Sequence, residues 1–326
     1  MTLNRRKITI FRKLGLVVSI LILATVSLNL GSENLIWSEI SDKSSLSYLI
    51  LINSRLPRTI TVILAGFGIS IAGLIFQQIS QNKFVSPTTS GSVSGAQLGI
   101  ALSMVLMPVQ KTAIMMIFAF VTSIITTLIF MTILDRIKFR EVIYVPLLGM
   151  MIASLISSIT TIIAYRYNFL QAIQGWMYGS FSLMISGRYE LIFIVAIAIM
   201  LAFIYAKSFT ISAIGQSFAT NLGLNYQGVV RLGIFISSLV SSTIVVVVGS
   251  IPFLGLIVPN IVVLYAGDNL QKNILDVGLV GVIILLTCDI LSRLIIYPYE
   301  LPIAFVVGIL GAFGFILMLL KKGGIS

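Results

Sequence analysis

Uncharged stretches, each long enough to cross a lipid bilayer, follow one another along this 326-residue chain. Nineteen residues without charge separate Lys13 from Glu33, 24 separate Arg58 from Lys83, and 27 separate Lys83 from Lys111. The pattern continues with 23 between Lys111 and Asp135, 24 between Glu141 and Arg166, and 20 between Glu300 and Lys321. A helix rises about 1.5 Å per residue, so roughly 20 apolar residues span the hydrocarbon core. A soluble core has no use for so many such runs. The chain is therefore expected to be all-α, a polytopic membrane protein forming a single transmembrane domain over 1–326. The mean hydropathy of +1.11 agrees, as does a content of 58% hydrophobic and 10% charged residues.

Ten spans account best for the pattern: about 14–30, 59–79, 94–109, 112–133, 142–164, 189–206, 230–249, 253–267, 276–293 and 302–320. Gly249-Ser250-Ile251-Pro252 splits one long apolar stretch in two, because Gly and Pro there favour a turn. The segment 14–30 follows five basic residues, but it is longer than the apolar part of a secretory signal and no A-x-A-like site follows. It is expected to be a retained span. The stretch Tyr167–Gly187 is uncharged yet rich in Asn, Gln, Gly and Ser. An eleventh span there would spoil the charge bias described next, so a short re-entrant or surface helix is expected.

The net charge of +11 does not call for nucleic acid once the charges are placed. Fourteen of the 21 basic residues fall on the side of the N-terminus, among them Arg12, Lys83, Lys138, Arg140, Arg231 and Lys272. Seven fall opposite: Lys43, Arg55, Arg58, Lys111, Arg166, Arg188 and Arg293. That two-to-one bias puts both termini in the cytoplasm. It also isolates an anomaly, since Arg55 and Arg58 sit together where basic residues are disfavoured. Interfacial side chains reaching for headgroups would explain them.

Much chemistry is excluded. No G-x-x-x-x-G-K-[ST] occurs, so ATP is not bound by that device, and neither H-E-x-x-H nor G-x-S-x-G is present. The chain has no histidine, and its one cysteine, Cys288, cannot form an intramolecular disulfide. No metal site and no catalytic residue are expected. Ion-coupled carriers keep ionisable groups inside their spans; only Asp289 and Asp276 could serve, and both read as structural charges near span ends. A transporter built this way draws its energy from elsewhere.

Two further features concern contacts. Gly66 and Ser70, Gly68 and Ala72, Ala304 and Gly308, and Gly308 and Ala312 are four apart, which puts small residues on one helix face for close packing within the chain or between chains. Between spans six and seven, Phe218 and Leu222 share a helical face and Gly223 suits the αL residue that ends a helix. Such an apolar face either fits a groove on a partner or lies on the protein's own surface.

Several motifs together resemble the FecCD-type permease subunits of iron–siderophore and cobalamin ABC importers. They are Arg55-Leu56-Pro57-Arg58; Gln77-Gln78 with Asn82 through Pro87; Trp176-Met177-Tyr178-Gly179-Ser180; Asn221-Leu222-Gly223-Leu224; Gly249 through Asn260; and Asp289-Ile290-Leu291-Ser292-Arg293 followed by Glu300-Leu301-Pro302. The resemblance implies a type II ABC importer permease with ten spans. It also implies a second permease subunit, two ATPase subunits that use ATP and Mg, and an extracellular substrate-binding lipoprotein. No cofactor would be bound by this chain.

Site residues follow from the same resemblance. Arg55, Arg58 and Arg293 match arginines that dock acidic knobs of the binding protein. The segment 214–225, with Gln216, Phe218, Ala219, Leu222 and Gly223, matches the coupling helix that contacts the ATPase. Asn82 and Phe84 match the cytoplasmic gate. The chain departs from the family at Gln216, where many members have Glu, at Phe84, where a small aliphatic residue is usual, at Asn260 for His, and at Tyr299 for Arg. Gln81 through Thr89 looks like a Gram-positive branch that handles catecholate siderophores with paired, non-identical permeases. The implied substrate is a ferric siderophore, with cobalamin or haem as the alternatives. A secondary transporter working alone is the reading from a different class.

Overall fold

The computed structural model describes residues 2–31, 33, 35–107, 111–136, 144–267 and 269–323, and the side chains of 10–318 and 320 within them. Lys138 and Arg140, counted above as cytoplasmic, lie outside these residues, as do the side chains of Arg5, Arg6, Lys7, Lys321 and Lys322. In chain order the helices are α1 (Thr2–Asn29), α2 (Leu46–Ile50), α3 (Leu56–Ile79), α4 (Ser92–Leu106), α5 (Thr112–Arg136), α6 (Tyr144–Arg166) and α7 (Leu170–Met177). Then come α8 (Phe193–Ile204), α9 (Ala206–Ser212), α10 (Gln216–Asn221), α11 (Tyr226–Val247), α12 (Leu254–Ala266), α13 (Leu270–Leu294) and α14 (Ile303–Gly323). No strand occurs among the described residues.

Six of these helical runs are long and apolar enough to cross a membrane alone: α1, α3 with its lead-in from α2, α5, α6, α11 and α13. Helices α8 and α9 form a pair bent by 62°, and α4, α12 and α14 are shorter apolar helices. The ten positions coincide with the ten expected spans. The polar stretch after α6 forms only the two-turn α7, as its composition suggested. One boundary shifts. Helix α13 begins at Leu270, so Asp276 lies inside the helix and not at its end, and both Asp276 and Asp289 are fully buried.

Helix α3 is the centre of the bundle, buried along most of its length and packed against α13, α12, α11 and α8. In lipid no hydrophobic effect drives helices together, so close backbone approach must supply the contact. The small residues do so within the chain. A Cβ on Gly281 of α13 would come 2.0 Å from the Ser70 hydroxyl, and one on Gly73 of α3 would come 1.8 Å from the Gly255 carbonyl of α12. The second obstacle is backbone and cannot move aside. Gly73→Ala is therefore expected to lower stability by about 1–3 kcal/mol, seen as a lower melting temperature of the purified protein. An unchanged melting temperature would mean that α3 and α12 can part freely. On α14, by contrast, Gly308 meets only Pro252, at 3.8 Å, and its small face stays open.

Between α3 and α4 the chain does not simply turn outside the bundle. Residues 80–91 fold back so that Pro87 packs beside Gly255 and lines a small gap with Ile69. Ile69 is about 15 Å along α3 from its end at Ile79. Irregular backbone at that depth must find partners inside the protein. It does: the Ser86 N–H donates to Thr89 Oγ1 at 2.8 Å, the Ser90 N–H to the Ser86 carbonyl at 2.9 Å, and the Thr89 hydroxyl to the Phe84 and Ser86 carbonyls. A seam of hydroxyls continues beyond it, with Ser92 to Ser123 at 2.8 Å and Ser94 to Ser157 at 3.3 Å.

Candidate functional site

At one end of the bundle, the outer end by the charge count, the three anomalous arginines converge. A π-helical turn, Leu51–Arg55, precedes α3 and is followed by Pro57 in its first turn. Arg58 is forked between two carboxylates, with Nη2 2.8 Å from Asp289 Oδ1 and Nη1 2.8 Å from Glu300 Oε1. Arg293, one turn beyond Asp289 on α13, pairs with its other oxygen. Arg293 also donates to the Ser27 and Leu30 carbonyls, at 3.0 and 3.1 Å, and to the Ser27 hydroxyl at 2.6 Å. Arg55 donates to the Leu28 carbonyl at 2.7 Å and to that of Glu33. The structure thus brings the three together, but as a clasp on the end of α1. Only 11% of the Arg58 side chain is exposed, and 6% of Arg293.

Glu300 closes the cluster on its solvent side and accepts from Ser182 in the loop after α7. Burial raises its carboxyl pKa, but the hydrogen bonds and charge of Arg58, with Ser182, outweigh that and hold it below the ordinary value. A carboxylate shifted down keeps its contribution above the unfolded value and loses it as pH falls through the folded one. The Arg58–Glu300 link is therefore complete at neutral pH.

The opposite end carries the other two groups. Asn82 is buried and its carboxamide oxygen accepts from the Phe84 N–H at 2.9 Å, a local turn that starts the inward segment. Asn260 of α12 fastens that segment by donating to the Lys83 carbonyl at 2.8 Å and to the Leu256 carbonyl at 2.7 Å. The Phe84 ring meets Phe315 of α14 edge to face, with centroids 5.9 Å apart. Gate candidates and the last helix therefore touch.

Helix α10 begins after Gly215 at φ +116° and ends at Gly223 at φ +78°. The Leu224 N–H bonds to the Ala219 carbonyl and the Gly223 N–H to that of Thr220, a paired closure that requires an αL residue at 223. Phe218 and Leu222 stand 48% and 59% exposed, while Ala219 is buried against the protein. Gln216 is exposed beside them. Two apolar knobs are thus presented on a fixed turn.

The pairing of the arginines was not read from the sequence. The charge count assigns a side to each residue and says nothing of partners, although Asp289 and Glu300 stand in the same motifs as Arg293. At the other end of α13, Asp276 pairs with Arg12 of α1, whose guanidinium also lies over the Tyr265 ring.

The profile of the FecCD transport family matches residues 16–321. The chain belongs to the FecCD transport family. A petrobactin import system permease protein of Bacillus subtilis is 45% identical over 307 residues, 94% of this chain and 97% of that one. The ferric-anguibactin transport system permease protein of Vibrio anguillarum is 35% identical, covering 94% and 98%. A metal-chelate type ABC transporter solved in an inward-facing conformation superposes with a TM-score of 0.80 at 22% identity, over 95% of this chain and 98% of its own. That likeness carries the fold. With its family established, the chain is a multi-pass membrane permease and a transport component, not an enzyme.

Proposed function

We propose that this chain is one of two permease subunits of an ATP-driven importer for ferric siderophores of the catecholate type. The observation that carries this is the 45% identity, over nearly the whole chain, to a permease named for petrobactin, itself a catecholate-type siderophore. The partners are a second, non-identical permease, two ATPase subunits that bind ATP and Mg, and an extracellular binding lipoprotein, in the cell membrane of a Gram-positive bacterium with both termini cytoplasmic. The exposed Phe218 and Leu222 contact the ATPase, and Asn82 and Phe84 stand at the cytoplasmic gate. The burial of Asp276 and Asp289 in arginine pairs supports energy from a partner rather than a coupling ion.

Docking of the binding protein centres on Arg58, where an incoming acidic group competes with Glu300, while Arg55 and Arg293 fix the end of α1 beneath it. Rim charges act mainly on association rate. Arg58→Gln is expected to slow association of the binding protein with the importer in nanodiscs, with an effect that shrinks as salt screens the charges. Unchanged association at low salt would remove the docking role.

The functional reading is tested by reconstituting this chain with the ATPase, the second permease and the binding protein and measuring uptake of ferric petrobactin. ATP-dependent uptake is expected, and little when either the ATPase or the second permease is left out. Uptake of cobalamin or haem in place of the ferric catecholate would overturn the substrate assignment. Full activity with this chain as sole permease would overturn the pairing.

A further inference from the structure

Beside the arginine clasp lies a cavity of about 450 Å³ that neither the clasp nor the coupling helix uses. It opens between the start of α5, helix α7, the loop that follows it and the last turn of α11. That volume is within the range of sites that hold drug-sized ligands, roughly 300–1,000 Å³. Its walls are mostly apolar: Met115 and Met184 are buried, and the Trp176 indole forms one side. The indole is fixed in place, because its N–H donates to the Val245 and Val246 carbonyls at 3.1 and 3.2 Å. Its donor is spent, so what it offers a ligand is ring surface.

The one cationic side chain among the residues lining this cavity is Arg188. Among the described residues it makes no ion pair. The nearby Glu190 carboxylate instead accepts from the Gly187 N–H. Arg188 is also one of the seven basic residues on the side where such charges are disfavoured, and unlike Arg55, Arg58 and Arg293 it takes no part in the clasp. An unpaired guanidinium at the mouth of a pocket walled by an indole and two methionines suits a ligand with negative charge at one edge and a flat apolar body.

We propose that this cavity is a binding subsite for an anionic aromatic arm of the transported complex, a metal-bound catecholate ring, with its charged edge at Arg188 and its ring against Trp176 and the methionines. This rests on the catecholate reading above. The Ser182–Glu300–Arg58 links join the cavity loop to the docking cluster, so the subsite lies where a complex released by the binding protein would first meet the permease.

The test is equilibrium binding of ferric catecholate, prepared from radioactive iron and catechol, to the complete importer in phosphatidylcholine nanodiscs without the binding protein. Arg188→Gln is expected to weaken binding about tenfold, the effect of losing one charge-assisted hydrogen bond, and Arg188→Lys to recover part of it. Arg188 is exposed, so the variant complex should melt as the parent does. Absence of binding by the parent complex, or unchanged affinity in Arg188→Gln, overturns the subsite. A second arm replaces part of the lipid by phosphatidylglycerol. If that displaces the iron complex from the parent and not from Arg188→Gln, the cavity holds an anionic headgroup and the proposal fails. Uptake by the same importer reconstituted into sealed vesicles, with binding protein added, separates the two readings. Transport with no effect of Arg188 overturns only the subsite, whereas failure to transport any ferric catecholate overturns the substrate class.

Discussion

Asp289→Ala is expected to cost this permease about 3–5 kcal/mol, the typical penalty for removing one partner of a buried ion pair. Two guanidiniums depend on that carboxylate, Arg58 at 2.8 Å and Arg293 one helical turn away. Both are largely buried, with 11% and 6% of their side chains exposed, so neither moves freely into water. Glu300 would be left to balance both from the solvent side. A low yield of folded protein and a large fall in melting temperature are the expected measurements. Asp289→Asn should fall between the variant and the parent, because its amide oxygen can still accept a hydrogen bond while the charge is gone. A parent-like melting temperature for Asp289→Ala would show that the clasp holds nothing together.

The second large effect is expected at the other end, on transport and not on folding. Leu222 is 59% exposed at the close of α10, one turn from Phe218, and touches little of its own chain. Leu222→Asp should leave the permease stable. In an apolar groove of the ATPase, however, an unpaired carboxylate would lose at least about 2 kcal/mol of contact energy. Uptake by the reconstituted importer should drop by tenfold or more, with ATPase either lost on purification or hydrolysing without transport. Normal uptake together with normal co-purification would place the coupling contact elsewhere.

What could be read in advance divides along physical lines. The ten apolar runs and the paired Phe218 and Leu222 were legible because hydrophobic length and helical period are local properties, written in consecutive residues. Gly223 was legible for the same reason, as the closure of α10 involves only Ala219 through Leu224. The fate of Arg55, Arg58 and Arg293 was not. Arg58 finds its carboxylates 231 and 242 residues away, Arg293 reaches 266 residues back to α1, and Arg55 bonds backbone carbonyls 27 and 22 residues before it; charge counting records sides, not neighbours. The inward fold of residues 80–91 was hidden too. Its Ser, Thr, Pro and Gly content reads as an ordinary loop, and only packing against Gly255 shows that the loop sits deep among helices. Asp276 was placed at a span end because hydropathy falls there, whereas the Arg12 side chain allows the helix to continue through it.

The two fastenings of α1 have a consequence for how the protein is made. Arg12 and Asp276 are 264 residues apart, and Arg293 reaches back 266 residues to Ser27. Helix α1 therefore stays without its main neighbour until α13 has been synthesised. Throughout that interval Arg12 and Arg58 lack the carboxylates of Asp276 and Asp289 that later neutralise them. Arrival of α13 supplies both aspartates at once, one near each end of α1. A chain terminated before α13 would leave Arg12 and Arg58 without these carboxylates, while a chain that includes α13 can fasten α1 near both of its ends.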